Sequence, residues 1–138
     1  ELNLSKDELC KIAVNIGADV PFFVYEYDSA NVTGIGEIVE KFDEEMLNID
    51  TITPNIKCNT GEIFKVFREN FYKQISKNEA DKLFKMKSIE ILNNLNINEA
   101  NDLYEPAISV YPKLEEYAQN SWFFSGSGSS FFKVNDVK

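Results

Sequence analysis

Leu9, Ile12, Ala13 and Ile16 recur at three- and four-residue intervals, a spacing that predicts one apolar face of a helix. Ser5 with Glu8 three residues on is a capping-box signature, and Leu4 and Leu9 fall at the staple positions, so the helix begins at Lys6. Gly17 stands where a left-handed C-terminal cap is expected, which ends the helix near Ile16. Val20 precedes a proline and is pushed toward extended geometry, after which residues 22–25 read as a buried strand. Residues 29–42, SANVTGIGEIVEKF, read as two strands around a glycine-containing turn or bulge, with Ile35, Ile38, Val39 and Phe42 facing inward.

The acidic run Asp43, Glu44, Glu45 marks a surface break and a candidate domain boundary. Beyond it the pattern predicts a strand over residues 49–53, a turn at Pro54-Asn55, and a helix opened by Asn59 with Glu62. Ile63, Phe64, Phe67, Phe71 and Ile75 continue that helix as a wide apolar stripe. A shorter helix follows over residues 89–95. Asp102 with Glu105 is positioned to cap the next, with Pro106 in its first turn, and Pro112 opens another containing Leu114 and Tyr117. The tail, WFFSGSGSSFFKV, reads as two aromatic strands flanking a glycine-serine turn. There is no internal repeat.

Composition narrows the class. The chain has 138 residues, 43% hydrophobic and 27% charged, which fits one ordinary globular domain or pieces of two. No apolar run approaches the roughly 18 residues a membrane span needs. It opens on Glu1 with neither an initiator Met nor a basic-then-apolar leader, so a fragment is expected. Cys10 and Cys58, with no histidine anywhere, favour neither a zinc site nor a disulfide framework; they read as reduced thiols in a cytoplasmic protein, and no metal site is assigned. Without histidine, any base catalysis falls to a carboxylate. The net charge of −9 argues against a nucleic-acid partner, and its excess acids all lie in residues 1–50.

Four stretches carry candidate chemistry. Asp19, in IGADVPFF, sits past a predicted helix end among apolar neighbours, and both settings disfavour its charge unless a partner or a task offsets them. It is either a turn aspartate accepting backbone N–H groups or a carboxylate placed to take a proton from an alcohol during phosphoryl transfer. SGSGSS lacks the Lys-Ser/Thr of a P-loop and no helix follows, so it is a tight hairpin or an anion-binding nest of backbone N–H groups. TGIGE matches half a dinucleotide fingerprint between strands, for which a bulge is the default. Thr60 and Phe64 lie at a helix start, where N–H groups suit an anion and a ring can stack on a base, although the stripe also assigns Phe64 to the core. The bases of residues 65–87, interleaved with aromatics, read as the solvated face of an amphipathic helix.

Taken in order, GADVPFF (17–23), GIGE (34–37), NTGEIF (59–64), NDLYEPAISVYP (101–112) and SGSGSS (125–130) resemble the C-terminal half of a GHMP-superfamily small-molecule kinase. The resemblance covers nearly the whole chain. It implies an α+β fold in which residues 1–45 end the N-terminal domain and residues 46–138 form a layered sheet-and-helix, ferredoxin-like C-terminal domain. It implies ATP as co-substrate, Mg2+, and a small-molecule alcohol as acceptor. In the branch that GADVP favours, the acceptor is the 2-hydroxyl of a cytidine-diphosphate-linked methylerythritol on the non-mevalonate route to isoprenoids. It maps the catalytic carboxylate onto Asp19 and the substrate-side loop onto Ser125, Gly126, Ser127, Gly128 and Ser129. A base-packing aromatic maps onto Phe64, with Thr60 and Ile35 lining the same pocket.

The family's glycine-rich ATP loop and its N-terminal lysine are not in this sequence, so no ATP-binding residues are assigned and the chain alone is expected to be inactive. Rival readings are another GHMP kinase, acting on homoserine, mevalonate or a sugar, and a non-catalytic ligand-binding or interaction module on the same fold. A kinase whose ligand has no base needs no aromatic at Phe64, and the third reading, nucleic-acid binding, requires steep salt dependence. Oligomeric state has no signal in the sequence.

Overall fold

The computed structural model describes residues 3–119 and 121–135; the outermost residues of both expected domains lie outside this range. The fold is α+β, and the chain divides into two compact units, Glu1–Met46 and Leu47–Lys138.

In the first unit, helix α1 (Lys6–Ala13) opens on the capping box read from the sequence, with Ser5 accepting from the Glu8 N–H and Glu8 bonded back to Ser5. The helix closes at Ala13 and continues as turns to Gly17, whose φ is not positive, so the expected left-handed cap is not formed. The buried side of α1 carries Cys10 and Ala13, while Leu9, Ile12 and Ile16 are exposed. Residues 22–25, expected as a strand, are instead part of helix α2 (Val20–Tyr25), with Pro21 in its first turn, where a missing N–H costs nothing. The Cys10 thiol approaches the Pro21 carbonyl, and the Tyr25 hydroxyl donates to Asp7 at 2.9 Å, which pushes the phenol up to about 12. Strands β1 (Ala30–Thr33) and β2 (Ile38–Lys41) pair antiparallel, Val32 opposite Val39. Contrary to the inward assignment, Ile35 and Ile38 are exposed.

The second unit is built on a three-stranded antiparallel sheet. Strand β3 (Ile49–Ile52) and the short β4 (Phe123–Phe124) flank the last strand, β5 (Phe131–Val134), which places Ile52 and Phe124 on either side of Phe131. Between β3 and β4 run the helices α3 (Thr60–Val66), α4 (Lys77–Lys85), α5 (Ser88–Asn94), α6 (Ile97–Ala100) and α7 (Tyr104–Val110), then a 3-10 helix, Pro112–Tyr117. The order strand, helices, strand, strand follows the first part of the ferredoxin-like β-α-β-β-α-β pattern.

Ile63, Tyr104, Ala107, Leu114, Phe124 and Phe131 form the core. The Tyr104, Phe124 and Phe131 rings meet edge to face, 5.2–6.4 Å apart. Each buried ring or branched chain of this kind stabilises the fold by about 1.5–3 kcal/mol. The long helix expected through Ile75 stops early: α3 passes into a π-helical turn, Phe67–Phe71, and ends where the Tyr72 N–H reaches the Phe67 carbonyl. A second capping box, Ser76 with Glu79, then starts α4.

Candidate functional site

The β4–β5 connection, residues 125–130, is a tight turn. The Gly128 N–H donates to the Ser125 carbonyl at 3.0 Å and the Ser125 N–H to the Ser130 carbonyl at 2.9 Å. Gly126, with φ +55°, takes the first central position, a geometry that favours glycine. Gly128 is required more strictly, because its φ is +93° and a Cβ there would stand 2.6 Å from the Phe124 ring and 3.1 Å from the Cys58 sulfur.

The loop leaving β3 wraps this turn from one side. Ser129 donates to the Pro54 carbonyl at 2.8 Å, and the Thr53 and Ser130 hydroxyls lie 2.9 Å apart. At the start of α3, the Asn59 side chain accepts from the Glu62 N–H, so one of the free N–H groups expected there is already used. The Thr60 and Ser127 hydroxyls are hydrogen-bonded at 2.8 Å. Phe64, four residues after Thr60 and so on the same side of α3, is 38% exposed, whereas its neighbour Ile63 is fully buried. The stripe therefore fills the core through Ile63 and leaves Phe64 more than a third exposed.

Tyr111 supports this corner. Its hydroxyl accepts from the Asn59 N–H at 3.0 Å and donates to Glu62 at 2.9 Å. The Asn59 bond favours the phenolate, but removal from water and the Glu62 carboxylate outweigh it and raise the phenol above the ordinary tyrosine range. Burial alone pushes the Cys58 thiol up.

Asp19 and Ile35 belong to the first unit. Asp19 is the N-cap residue of α2, exposed, and its side chain makes no hydrogen bond or ion pair among the described residues. It is thus not enclosed by Ile16 and Phe23, which are themselves exposed, and it stands at the start of a helix, not only beyond the end of one. Ile35, 74% exposed, crowns the β1–β2 turn with its N–H on Glu37 at 2.6 Å. Gly36, φ +115°, lies directly against the Ala18 carbonyl, leaving no space for a side chain. The GIGE and GADVP turns are therefore neighbours within this unit.

Two residues that the motif reading left without roles emerge here. Tyr111 carries no local signal. Asn101 does, as the polar residue ahead of α7; Asp102 does not cap that helix, and the Asn101 side chain instead accepts from the Leu103 N–H and donates to the turn. Among the described residues no cluster of His, Cys, Asp and Glu is arranged to hold a metal ion, and no helix is long and apolar enough to cross a membrane.

Among solved structures, a crystal structure of 4-(cytidine 5'-diphospho)-2C-methyl-D-erythritol kinase superposes with a TM-score of 0.60 at 23% identity, covering 96% of this chain and 48% of that one. The likeness shows a shared fold over about half of that protein. In sequence the chain is related to 4-diphosphocytidyl-2-C-methyl-D-erythritol kinases. It is 47% identical over 135 residues to the enzyme so named from Sulfurimonas denitrificans (98% of this chain, 51% of that protein) and 44% identical over 134 residues to that of a Sulfurovum species (96% and 52%). A Campylobacter jejuni relative of the same name is 39% identical, covering 97% of this chain and 53% of its own. The chain thus spans about half the length of the curated relatives it matches. No family model matches it.

Proposed function

We propose that this chain is the C-terminal part of a cytoplasmic kinase that transfers the γ-phosphoryl group of ATP to the 2-hydroxyl of 4-diphosphocytidyl-2-C-methyl-D-erythritol in non-mevalonate isoprenoid synthesis. On this reading residues 1–45 end the enzyme's N-terminal domain and residues 46–138 are its C-terminal domain, and the partner is a small molecule, not nucleic acid or membrane. The observation that carries the proposal is the 2.8 Å bond between Thr60 and Ser127, with the Phe64 ring exposed one turn further on. It joins the two stretches of this unit to which the resemblance assigns substrate contacts. The names and half-length match of the curated relatives, and two free thiols fitting a reducing compartment, support the same reading.

In the reaction the acceptor oxygen attacks the γ-phosphorus, the bond to the bridging oxygen breaks, and ADP leaves. Asp19 takes or orients the hydroxyl proton, a role its exposed, unpartnered carboxylate leaves it free to fill. Phe64 stacks on the cytosine, Thr60 and Ile35 line the substrate, and the backbone N–H groups of residues 125–129 face negative charge. ATP brings Mg2+ in this chemistry, and among the described residues no cluster of His, Cys, Asp and Glu is arranged to hold the ion.

The test is steady-state kinetics on the full-length enzyme. Asp19→Asn should lower kcat by about 100- to 10,000-fold with the protein still folded. Phe64→Ala should raise KM for the cytidine-bearing substrate about 10-fold, as loss of a base–aromatic stack does, and leave KM for ATP unchanged. Retained turnover in the first variant removes Asp19 from the chemistry. Unchanged substrate affinity in the second removes the cytidine site and with it the distinction from kinases of base-free alcohols.

A further inference from the structure

Asn101 spends its whole side-chain amide on backbone. Its NH2 group donates to the Phe124 carbonyl and to the Gly126 carbonyl, both at 2.9 Å, and its oxygen accepts from the Leu103 N–H, also at 2.9 Å. Its own N–H caps α6 on Ile97, and its carbonyl accepts from Tyr104 at the entry to α7. Asn101 is thus anchored in the α6–α7 corner and grips the 125–130 turn from there. Only an amide supplies two donors and an acceptor from so short a stem: a carboxylate would face two carbonyl oxygens, and alanine would strand all three backbone groups.

The grip fixes a direction. In a trans peptide the carbonyl and the following N–H point oppositely, and the Gly126–Ser127 bond is trans. Drawing the Gly126 carbonyl toward Asn101 therefore turns the Ser127 N–H to the other side of the turn. That N–H has no hydrogen-bond partner among the described residues, and the side chain of the same residue is tied to Thr60. The Phe124 carbonyl, held in the same way, sends the Ser125 N–H across to Ser130, where its hydrogen bond is found.

We infer that Asn101 is a positioning residue for phosphoryl transfer, holding the Gly126–Ser127 peptide so that the Ser127 N–H is presented to the charge of the substrate or the transferring phosphoryl group. This rests on the proposed kinase reaction and deepens it by singling out one donor of the turn and the residue that aims it. Because the donor is preset, it needs no reorganisation when charge develops, which is where such a group acts on kcat more than on binding.

A double-mutant cycle in the full-length enzyme tests it, with kcat, KM for both substrates and the thermal midpoint as readouts. Asn101→Asp should lower kcat by about 10- to 100-fold, somewhat below the loss on removing such a donor outright, with both KM values within about threefold. Ser127→Pro, which removes the N–H, should lose kcat relative to Ser127→Ala, which removes only the hydroxyl. If Asn101 acts through that N–H, Asn101→Asp made in the Ser127→Pro background should change kcat by less than about twofold. A full multiplicative effect in that background, or Asn101→Asp alone leaving kcat unchanged, overturns the positioning role. Ser127→Pro equal to Ser127→Ala overturns the use of the turn itself, and this inference with it. Should Asn101→Asp fail to fold, Asn101→Ser, which keeps one donor, is read through the same cycle by the same criteria.

Discussion

Among the described residues, the second unit holds a cluster of apolar groups with Ile63, Ala107, Leu114 and Phe131 at 0% exposure, although Tyr72, Ile75 and Ile49 outside that cluster are exposed. The first unit has no such cluster among the described residues: Cys10, Ala13 and Pro21 are buried there, while Ile12, Ile16, Phe23 and Ile35 stand 53%, 76%, 70% and 74% exposed. Both units carry capped helices and an antiparallel pair, so the difference is not one of local structure. It lies in layering. The second unit has a three-stranded sheet with helices to cover it, whereas the first has a two-stranded ribbon and two short helices, too little surface to bury its own apolar residues. An amphipathic pattern says that a face wants cover; it does not say that the segment contains the cover.

The comparison can be broken or sharpened by substitution. The largest effect is expected at Phe131, whose truncation to alanine should cost about 3–5 kcal/mol in denaturant unfolding, since it leaves a cavity against Tyr104, Tyr117 and Phe124. Gly128→Ala comes next. Its Cβ meets the Phe124 ring at 2.6 Å with φ at +93°, so about 2–4 kcal/mol is expected, whereas Gly126→Ala meets no atom and should cost about 1–2 kcal/mol, from its positive φ alone.

Smaller again are the caps, one in each unit: Ser5→Ala and Ser76→Ala should each cost about 1 kcal/mol, read from helical circular dichroism on unfolding. They also carry a pH signature. Backbone and hydroxyl donation from Ser5 holds the Glu8 carboxyl below the ordinary 4.5, and Ser76 does the same for Glu79. A carboxyl lowered in the folded state stabilises it above its unfolded value, and that stability is lost as pH falls through the folded value. The loss below about pH 4.5 should therefore flatten in either serine variant.

The smallest effect is expected at Ile16, where alanine should change stability by no more than about 0.5 kcal/mol. A cost at Ile16 rivalling that at Phe131 would mean the first unit has a core after all.

Much of the local structure was legible. The caps at Ser5 and Asn59, strand β3, the aromatic hairpin and the glycine-serine turn are where their residue types place them. The failures have physical causes. Residues 22–25 are too few to separate a buried strand from a helix by periodicity, and Pro21, read as restricting the residue before it, acts as a first-turn proline. The stripe from Ile63 to Ile75 treats thirteen residues of apolar periodicity as one helix, but the π-helical turn shifts its phase and a fresh cap at Ser76 restarts it. That second cap was there to be read, as was Asn96 with Glu99 ahead of α6. For the candidate site, Thr60, Phe64 and the turn were named from motifs; their contacts were not, nor were Asn101 and Tyr111 as supports.

What the chain order alone determined was whatever closes within one turn: a serine accepting from the N–H three residues on, a glycine where φ must be positive, alternation along a strand. Such bonds depend on neighbours in sequence, and residue type suffices to place them. Only the tertiary structure decided that Ile63 and not Phe64 fills the core, that Thr60 meets Ser127 across 67 positions, and that Asn101 holds carbonyls 23 and 25 residues away. Those contacts exist because β5 pairs between β3 and β4 and brings both ends of the second unit together, a closure that no local pattern encodes.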